Sequence, residues 1–218
     1  MALDFKVSPL GYKELKEYAQ HLRVLGNIKP DVRTFDVVDL LHNTVIPALS
    51  QQGKTFSVQT DDFMENPAEV DLEHRVLYVA DWVLIAAKSG DHRARLIVAH
   101  EIAHMVLHED QVMAFSEDEA VQLNFLQAEE SAERQAQDFA LLLLLPDDVI
   151  VGTRNMSAEV ASIITSVEPH LVEERRKDFE IQNRVFLRSY IDRKCPCGTE
   201  TTVVFGAAAP CPSCGDFD

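Results

Sequence analysis

This 218-residue chain has no cysteine before position 195, and it has no long apolar stretch. The most apolar run, residues 141–145, is far shorter than the roughly 20 residues that a membrane-spanning helix needs. The amino-terminal sequence MALDFKVSPL has an aspartate at position 4 and no extended apolar region, which is not typical of a signal peptide. We therefore expect a cytoplasmic protein with no membrane contact.

Basic residues are scarce relative to acidic ones. The chain has 20 lysines and arginines against 36 aspartates and glutamates, which gives a formal net charge of −16. Such a chain repels phosphate backbones unless its charges are strongly segregated. Two interpretations stay open: the acidic surface serves solubility alone, or it favours a basic protein partner.

The four cysteines lie in the last 24 residues, at Cys195, Cys197, Cys211 and Cys214. In a cytoplasmic chain, such clustering favours metal binding over disulfides. The second pair has the spacing of a zinc knuckle, whereas the first pair is one residue closer than usual. The sequence predicts a small zinc ribbon here. Two alternatives stay open, namely an unstructured tail with free thiols and a tail cysteine that blocks a catalytic zinc ion.

Apolar periodicity and capping signals predict a mostly helical chain with a few strands, of the α+β class. Leu15, Tyr18, Leu22 and Leu25 share one face of the first helix. Ser116 and Glu119 can form a capping box in an otherwise irregular acidic stretch. The predicted helices are 11–25, 35–50 (capped by Thr34 and disturbed by Pro47), a long one from Asp91, 129–145, 157–167 and 170–193. The predicted strands are 55–59 and 75–80, and 81–90 is ambiguous.

The stretch LIVAHEIAHMVLHED, residues 96–110, contains an H-E-x-x-H motif. On a helix, residues four apart share a face, so His100 and His104 can bind one ion. Zinc binds neutral histidine nitrogens and needs further ligands to complete a tetrahedron. Glu101, beside the first ligand, is placed to act as the general base on a zinc-activated water.

A catalytic zinc site needs a third protein ligand. His108 is eight residues from His100, about 12 Å along a helix axis, which is too far to share its ion. We therefore expect His108 either at the surface or behind the ligands.

The next long helix offers a better ligand. Glu133, Ala136 and Ala140 share a face, and the two alanines permit a close approach to the histidine helix, which would direct Glu133 at the metal. The alternative is that Glu133 belongs to a solvated charge run with Glu129 and Glu130.

The segments RLIVAHEIAHMVLH and ERQAQDFALLLLLP resemble the ImmA/IrrE-type zinc metallopeptidases, in which H-E-x-x-H is followed by E-x-x-A-N-x-F-A-x-x-L-L-M-P. The resemblance implies that Glu133 is the third zinc ligand. Gln137 replaces the family's asparagine, and Leu145-Pro146 replaces Met-Pro. The remaining matches are Ala136, Phe139, Ala140, Leu144 and Pro146, with Arg95, Val98 and Ala99 before the first histidine.

The resemblance covers about residues 11–146 and implies a mostly helical, gluzincin-like domain with a small sheet. We expect a metallopeptidase domain over 1–155, a helical arm over 156–193 and a zinc-ribbon-like module over 194–218. The expected cofactors are one catalytic zinc ion on His100, His104 and Glu133, and one structural zinc ion on the four cysteines.

Family members are typically regulatory proteases, so the resemblance implies a zinc-dependent endopeptidase that cleaves a helix-turn-helix repressor. Cleavage would derepress a stress, mobile-element or phage-response operon, and the activating ligand would be single-stranded DNA or a metabolite. The alternative is a zinc-stabilised, non-catalytic sensor that sequesters a repressor or responds to nucleic acid. The intact Glu101 argues against that alternative.

Two further elements of a protease site are left open by the sequence. The strand at 76–79 is a candidate for pairing with an extended substrate. A second donor should stabilise the oxyanion, and spacing does not choose among the candidates. They are Tyr78, His92, His108, His170 and Tyr190.

Overall fold

The computed structural model describes residues 4–109 and 128–191, and the side chains of 4–109 and 129–183. The cysteine tail, the predicted capping box of Ser116 and Glu119, and the side chain of Tyr190 lie outside these residues. The chain divides into two compact units, Met1–Arg175 and Arg176–Asp218. The domain boundaries predicted at 155 and 193 stay predictions.

The described chain is α+β and mostly helical, as expected. Among its helices, none is both long and apolar enough to cross a membrane. The helices are α1 (Tyr12–Leu25), α2 (Val37–Leu40), α3 (Ile46–Gln51), α4 (Asp81–Lys88), α5 (His92–Leu107), α6 (Ala132–Leu144), α7 (Asp147–Thr153), α8 (Ala158–Thr165) and α9 (Pro169–Ile191). A π-helical segment, Leu41–Val45, joins α2 to α3, and a 3₁₀ turn, Ala128–Glu130, precedes α6. The strands are β1 (Ser57–Thr60), β2 (Ala68–Asp71) and β3 (Val76–Val79).

The sheet has the order β1-β3-β2, with β3 in the middle. β1 runs parallel to β3, with Ser57 opposite Val76, and β2 runs antiparallel, with Ala68 opposite Val79. The prediction that 76–79 pairs with a substrate is therefore wrong, because both edges of this strand are already used. β2, which the sequence analysis missed, pairs with β3 alone among the described residues and packs beside α5.

The first helix forms as predicted, but its buried face is rotated from the predicted one. Leu15, Ala19 and Leu22 are buried, whereas Tyr18 and Leu25 are 46% and 50% exposed. α1 packs against α6. The buried face of α1 includes the charged residue Arg23 in addition to its apolar side chains.

Arg23 stays buried because both terminal nitrogens of its guanidinium donate to backbone carbonyls. Its guanidinium donates to the carbonyl of Leu143 at 2.8 Å and stacks 5.2 Å from the ring of Phe35. Arg95, at the start of α5, lies over the same ring at 5.6 Å and donates to the carbonyl of Phe35. Burial lowers the pKa of Arg23 to about 10, so it remains charged at neutral pH. One aromatic ring thereby links α1 to the helix of the H-E-x-x-H motif.

The second predicted helix is divided, and its predicted cap is wrong. Asp36, not Thr34, caps α2 by accepting hydrogen bonds from the backbone N–H groups of Val38 and Asp39. Pro47 has no N–H to donate and lies in the first turn of α3, directly after the π-helical segment. Proline therefore divides the helix without ending it.

The remaining predictions differ mainly at element ends. β1 begins two residues later than predicted, and α6 begins at Ala132 because Ser131 caps it. The ambiguous residues 81–90 contain α4, and α7 was not foreseen. α8 and α9 lie where predicted, and the predicted extension of the last helix beyond 191 is outside the described residues.

Candidate metal centre

Two histidines of α5 and one glutamate of α6 bring their ligand atoms together. Nε2 of His100 lies 3.1 Å from Nε2 of His104. The two carboxylate oxygens of Glu133 lie 3.3 Å and 3.4 Å from these nitrogens. Within the described ranges, no other group of three histidine, cysteine or acidic side chains meets in this way.

These spacings fit a zinc ion. Ligands held 2.0–2.1 Å from an ion at tetrahedral angles lie roughly 3.3 Å apart. The two imidazole nitrogens are 3.1 Å apart, and each has one oxygen of Glu133 at 3.3 or 3.4 Å. One ligand atom from each of the three residues lies within 4.8 Å of the others. Two imidazoles and a carboxylate also form a known ligand set of catalytic zinc sites, which keep a fourth position open. The side chain of Glu133 is 31% exposed, so the group is reachable from solvent.

Local sequence explains why the two helices meet at this point. Asp91 caps α5 by accepting from the backbone N–H of Ala94 at 2.8 Å, which begins the helix two turns before His100. Ala136 and Ala140 are fully buried, and α6 packs against α5. The small alanine side chains permit this close approach, as the sequence predicted.

The amino-terminal segment fixes the start of α6, where Glu133 lies. Asp4 accepts hydrogen bonds from the hydroxyl of Ser131 at 2.7 Å and from the backbone N–H of Glu133 at 3.2 Å. Backbone hydrogen bonds from Val7 to Glu130 and from Ala132 to Phe5 hold the same segment against α6. The third candidate ligand is thus positioned by residues far from it in sequence.

Both histidines of the motif have further side-chain hydrogen-bond partners. The side chain of Gln137 hydrogen-bonds to His100, so the glutamine that replaces the family's asparagine still contacts a candidate ligand. Nδ1 of His104 lies 3.0 Å from Nδ1 of His108, and Nε2 of His108 lies 3.1 Å from Oε1 of Gln135. Such partners fix the orientation of metal-binding imidazoles.

The site is electrostatically coupled. Burial alone would raise the pKa of Glu133, but hydrogen bonds from His100 and His104 outweigh it and lower the pKa to about 2. Burial lowers the pKa of His100, but contact with Glu133 and the charge of Glu101 raise it above its ordinary value. Burial and the neighbouring His104 lower the pKa of His108 to about 4, so its imidazole is neutral at pH 7.

Glu101 lies next to His100 and is only 8% exposed. Burial raises the pKa of its carboxyl group; the charges of His104 and His100 oppose this rise, and those of Glu133 and Glu69 add to it. A carboxylate with a raised pKa is a better proton acceptor near neutral pH. The residue that the sequence predicts as the general base therefore has suitable acid–base properties.

Residues 59–153 match the family model of Peptidase_M78, described as the IrrE N-terminal-like domain. Over this segment the chain is similar to the ImmA/IrrE family. The matched residues run from within β1 to the end of α7 and so include both helices of the candidate metal centre, and the family is a peptidase family. Among curated proteins, none matches the chain.

The match begins later than the resemblance inferred from the sequence, which reached back to about residue 11. α1 and the amino-terminal segment are outside it, although Asp4 and Phe5 contact the site. In this chain, a part of the site's surroundings therefore comes from outside the matched IrrE-like segment.

The oxyanion candidates occupy different environments. His108 is fully buried and both its ring nitrogens are hydrogen-bonded, so it is not available to a substrate. His170 pairs with Glu168 at 3.2 Å, and Nδ1 of His92 lies 3.4 Å from the hydroxyl of Ser162. Tyr78 lies on the central strand, opposite Glu69 of β2.

Sequence reasoning missed three residues that support the site: Asp4, Phe5 and Gln135. Phe5 packs its ring 5.8 Å from His108 and 6.2 Å from His104. Gln135 is 1% exposed on α6 and lies two residues after the candidate ligand Glu133. In the sequence, Gln135 could have been found only as a polar residue within an otherwise apolar helical face. No local sequence feature indicates a role for Asp4 or Phe5.

Proposed function

We propose that this chain is a zinc-dependent endopeptidase that cleaves a helix-turn-helix repressor and thereby derepresses a stress, mobile-element or phage-response operon. The observation that carries the proposal is the convergence of His100, His104 and Glu133 beside the buried carboxyl group of Glu101. The peptidase family of the surrounding segment supports it. The protein substrate follows from that family, and the repressor is the substrate we infer.

The two histidines and Glu133 would hold the zinc ion, which supplies a Lewis acid that polarises the substrate carbonyl and acidifies water. Glu101 takes the proton of the attacking water. It then delivers this proton to the amide nitrogen that leaves as the peptide bond breaks. Its raised pKa suits both steps, because the same group must accept and release a proton.

The sheet offers a place for the substrate. β2 has one edge without a strand partner in the described chain and packs beside α5, and an extended peptide can add to such an edge. Glu69 on this strand lies close enough for its charge to act on Glu101. An acidic strand beside the site favours a basic peptide, and a net charge of −16 favours a basic protein such as a repressor.

The test compares the wild type with Glu101→Gln, which keeps the shape of the side chain and removes the base. Each protein is incubated with a small helix-turn-helix repressor encoded beside it, with and without single-stranded DNA, and the products are identified by mass spectrometry. We expect the wild type to cut the repressor at one or a few bonds and to leave casein intact, and Glu101→Gln to bind zinc and cut nothing.

Two other outcomes have clear meanings. If wild type and Glu101→Gln relieve repression equally without cleavage, the chain is a non-catalytic binding protein or sensor. If the wild type digests casein as readily as the repressor, it is a peptidase without the proposed regulatory selectivity.

A further inference from the structure

The imidazole of His104 has two nitrogens, and only one of them can face the zinc site. Nε2 points toward His100 and Glu133, so the proton of the neutral ring is on Nδ1 and needs an acceptor. Nδ1 of His108 lies 3.0 Å away in a fully buried position, where water cannot replace it.

This contact determines the protonation of His108. If Nδ1 of His108 accepts, it carries no proton, and the proton of this ring is on Nε2. Nε2 of His108 lies 3.1 Å from Oε1 of Gln135, a matching acceptor. The amide nitrogen of Gln135 then donates to the carbonyl oxygens of Ser8 and Glu129, at 2.8 Å and 2.6 Å. Every donor in this chain of contacts has an acceptor.

The opposite assignment fails at two points. If the amide of Gln135 were reversed, its oxygen would face the two carbonyl oxygens of Ser8 and Glu129. Its nitrogen would then face Nε2 of His108, which would move the ring proton to Nδ1 and place it against the Nδ1 proton of His104. Gln135 is 1% exposed, so no solvent is available to satisfy the groups left without partners.

We propose that His108 is a positioning residue that accepts the Nδ1 proton of His104 and so keeps Nε2 of His104 directed at the zinc site. Gln135, held by the carbonyl of Ser8, fixes His108 in the required tautomer. This inference rests on the proposed zinc peptidase function. It assigns to the amino-terminal segment a role in the metal centre, since the carbonyl of Ser8 ends the chain of contacts.

The chain of contacts contains no carboxylate. Metal-binding histidines often donate to a carboxylate, which adds negative charge behind the ligand and raises its basicity. Here the acceptor is the neutral ring of His108, which itself donates to the neutral side-chain amide of Gln135. His104 is therefore oriented without added negative charge. Glu133 remains the one acidic side chain in the candidate ligand set.

The test measures zinc affinity by competition with a chromogenic chelator, with the four tail cysteines of every full-length protein replaced by serine so that only the site on His100, His104 and Glu133 is titrated. His108→Phe keeps a buried ring and removes the acceptor, and we expect it to weaken zinc binding about 10- to 100-fold. His108→Asn keeps an oxygen near the position of Nδ1, and we expect it to recover most of that loss. Phe5→Leu is the matched control, because Phe5 packs on the same rings and provides no acceptor to them.

A second measurement does not depend on any variant. Long-range ¹H–¹⁵N spectra of the zinc-loaded wild type should show His104 with its proton on Nδ1 and His108 with its proton on Nε2. His108 with its proton on Nδ1 would overturn the proposal, whether or not His108→Phe folds.

The outcomes separate this inference from the proposed function. A wild type that binds no zinc refutes the proposed function itself. A wild type that binds zinc, together with a folded His108→Phe that binds it equally well, overturns only the role of His108. Equal losses in His108→Phe and Phe5→Leu would show a packing effect and also overturn it.

Discussion

The carboxylate of Asp4 accepts a hydrogen bond from the backbone N–H of Glu133, 129 positions later in the chain. The same carboxylate accepts from the hydroxyl of Ser131, the residue that caps α6. An aspartate near the amino terminus thereby sets the position of the proposed third zinc ligand.

Asp4→Ala should therefore reduce both stability and zinc affinity. Loss of a capping carboxylate costs about 1 kcal/mol, which a urea titration resolves. The control is Asp36→Ala, which removes the cap of α2, a helix that contains none of the proposed zinc ligands. It should cost a similar amount of stability and leave zinc affinity unchanged. Zinc binding that responds equally to both variants would contradict a specific role for Asp4.

Glu133→Ala should weaken zinc binding by more than the roughly 100-fold that loss of an outer hydrogen-bond partner causes. Glu129→Ala and Glu130→Ala should bind zinc as the wild type does, since Glu129 is exposed and Glu130 pairs with Lys6 at 3.1 Å. Equilibrium dialysis with zinc measures all three. A strong loss of zinc affinity in Glu130→Ala with none in Glu133→Ala would show that the ligand is Glu130 and that the prediction is wrong.

Removal of the metal should lower the melting temperature of the wild type. A ligand present at 1,000 times its dissociation constant contributes about 4 kcal/mol, which in a domain of this size corresponds to about 8–16 °C. Calorimetry with and without a chelator measures the shift. Glu133→Ala is the control: chelation should remove only the zinc ion of the cysteine tail from it and should therefore shift its melting temperature less. Equal shifts in both proteins would place the stabilising metal elsewhere.

The cysteine tail should bind a second zinc ion. Elemental analysis is expected to give two zinc ions in the intact chain and one after replacement of Cys195, Cys197, Cys211 and Cys214 by serine. His100→Ala should lose the other ion only. One zinc ion in the intact chain and one in the cysteine variant would refute the predicted ribbon.

Charge on β2 should affect the cleavage of a basic substrate. Glu69→Lys reverses a charge beside the proposed substrate edge, and a single exposed charge contributes up to about 1 kcal/mol, or roughly fivefold. We therefore expect kcat/KM for the repressor to fall by up to that factor, mainly through KM. Glu17→Lys, at an exposed side chain of α1, makes the same change in net charge and should have a smaller effect on kcat/KM. Equal effects would assign the selectivity to overall charge.

The parts of the site that the sequence predicted are those with local signals. His100, Glu101 and His104 follow from helical spacing, and Glu133 from its alanine neighbours and the family resemblance. Asp4 and Phe5 could not be found in this way, since their contacts cross about a hundred residues of sequence or more.

The fold shows the same division. α5 and β3 were predicted because their apolar patterns are strong, whereas β2 was missed because its sequence, AEVD, has only four residues and two charges. Thr34 and Asp36 are both suitable caps by residue type, and the packing of α2 selects Asp36.

The hydrogen bond between Asp4 and Glu133 also has a consequence for the order of events during synthesis. A ribosome adds about 5–20 residues per second, so the first residues leave the exit tunnel well before α6 exists. The histidine helix can form earlier, with two of the three proposed zinc ligands, but the hydrogen bonds of Asp4 to Ser131 and Glu133 cannot form until α6 is present. The site is therefore completed only when distant parts of the chain come into contact, and its folding is a late event.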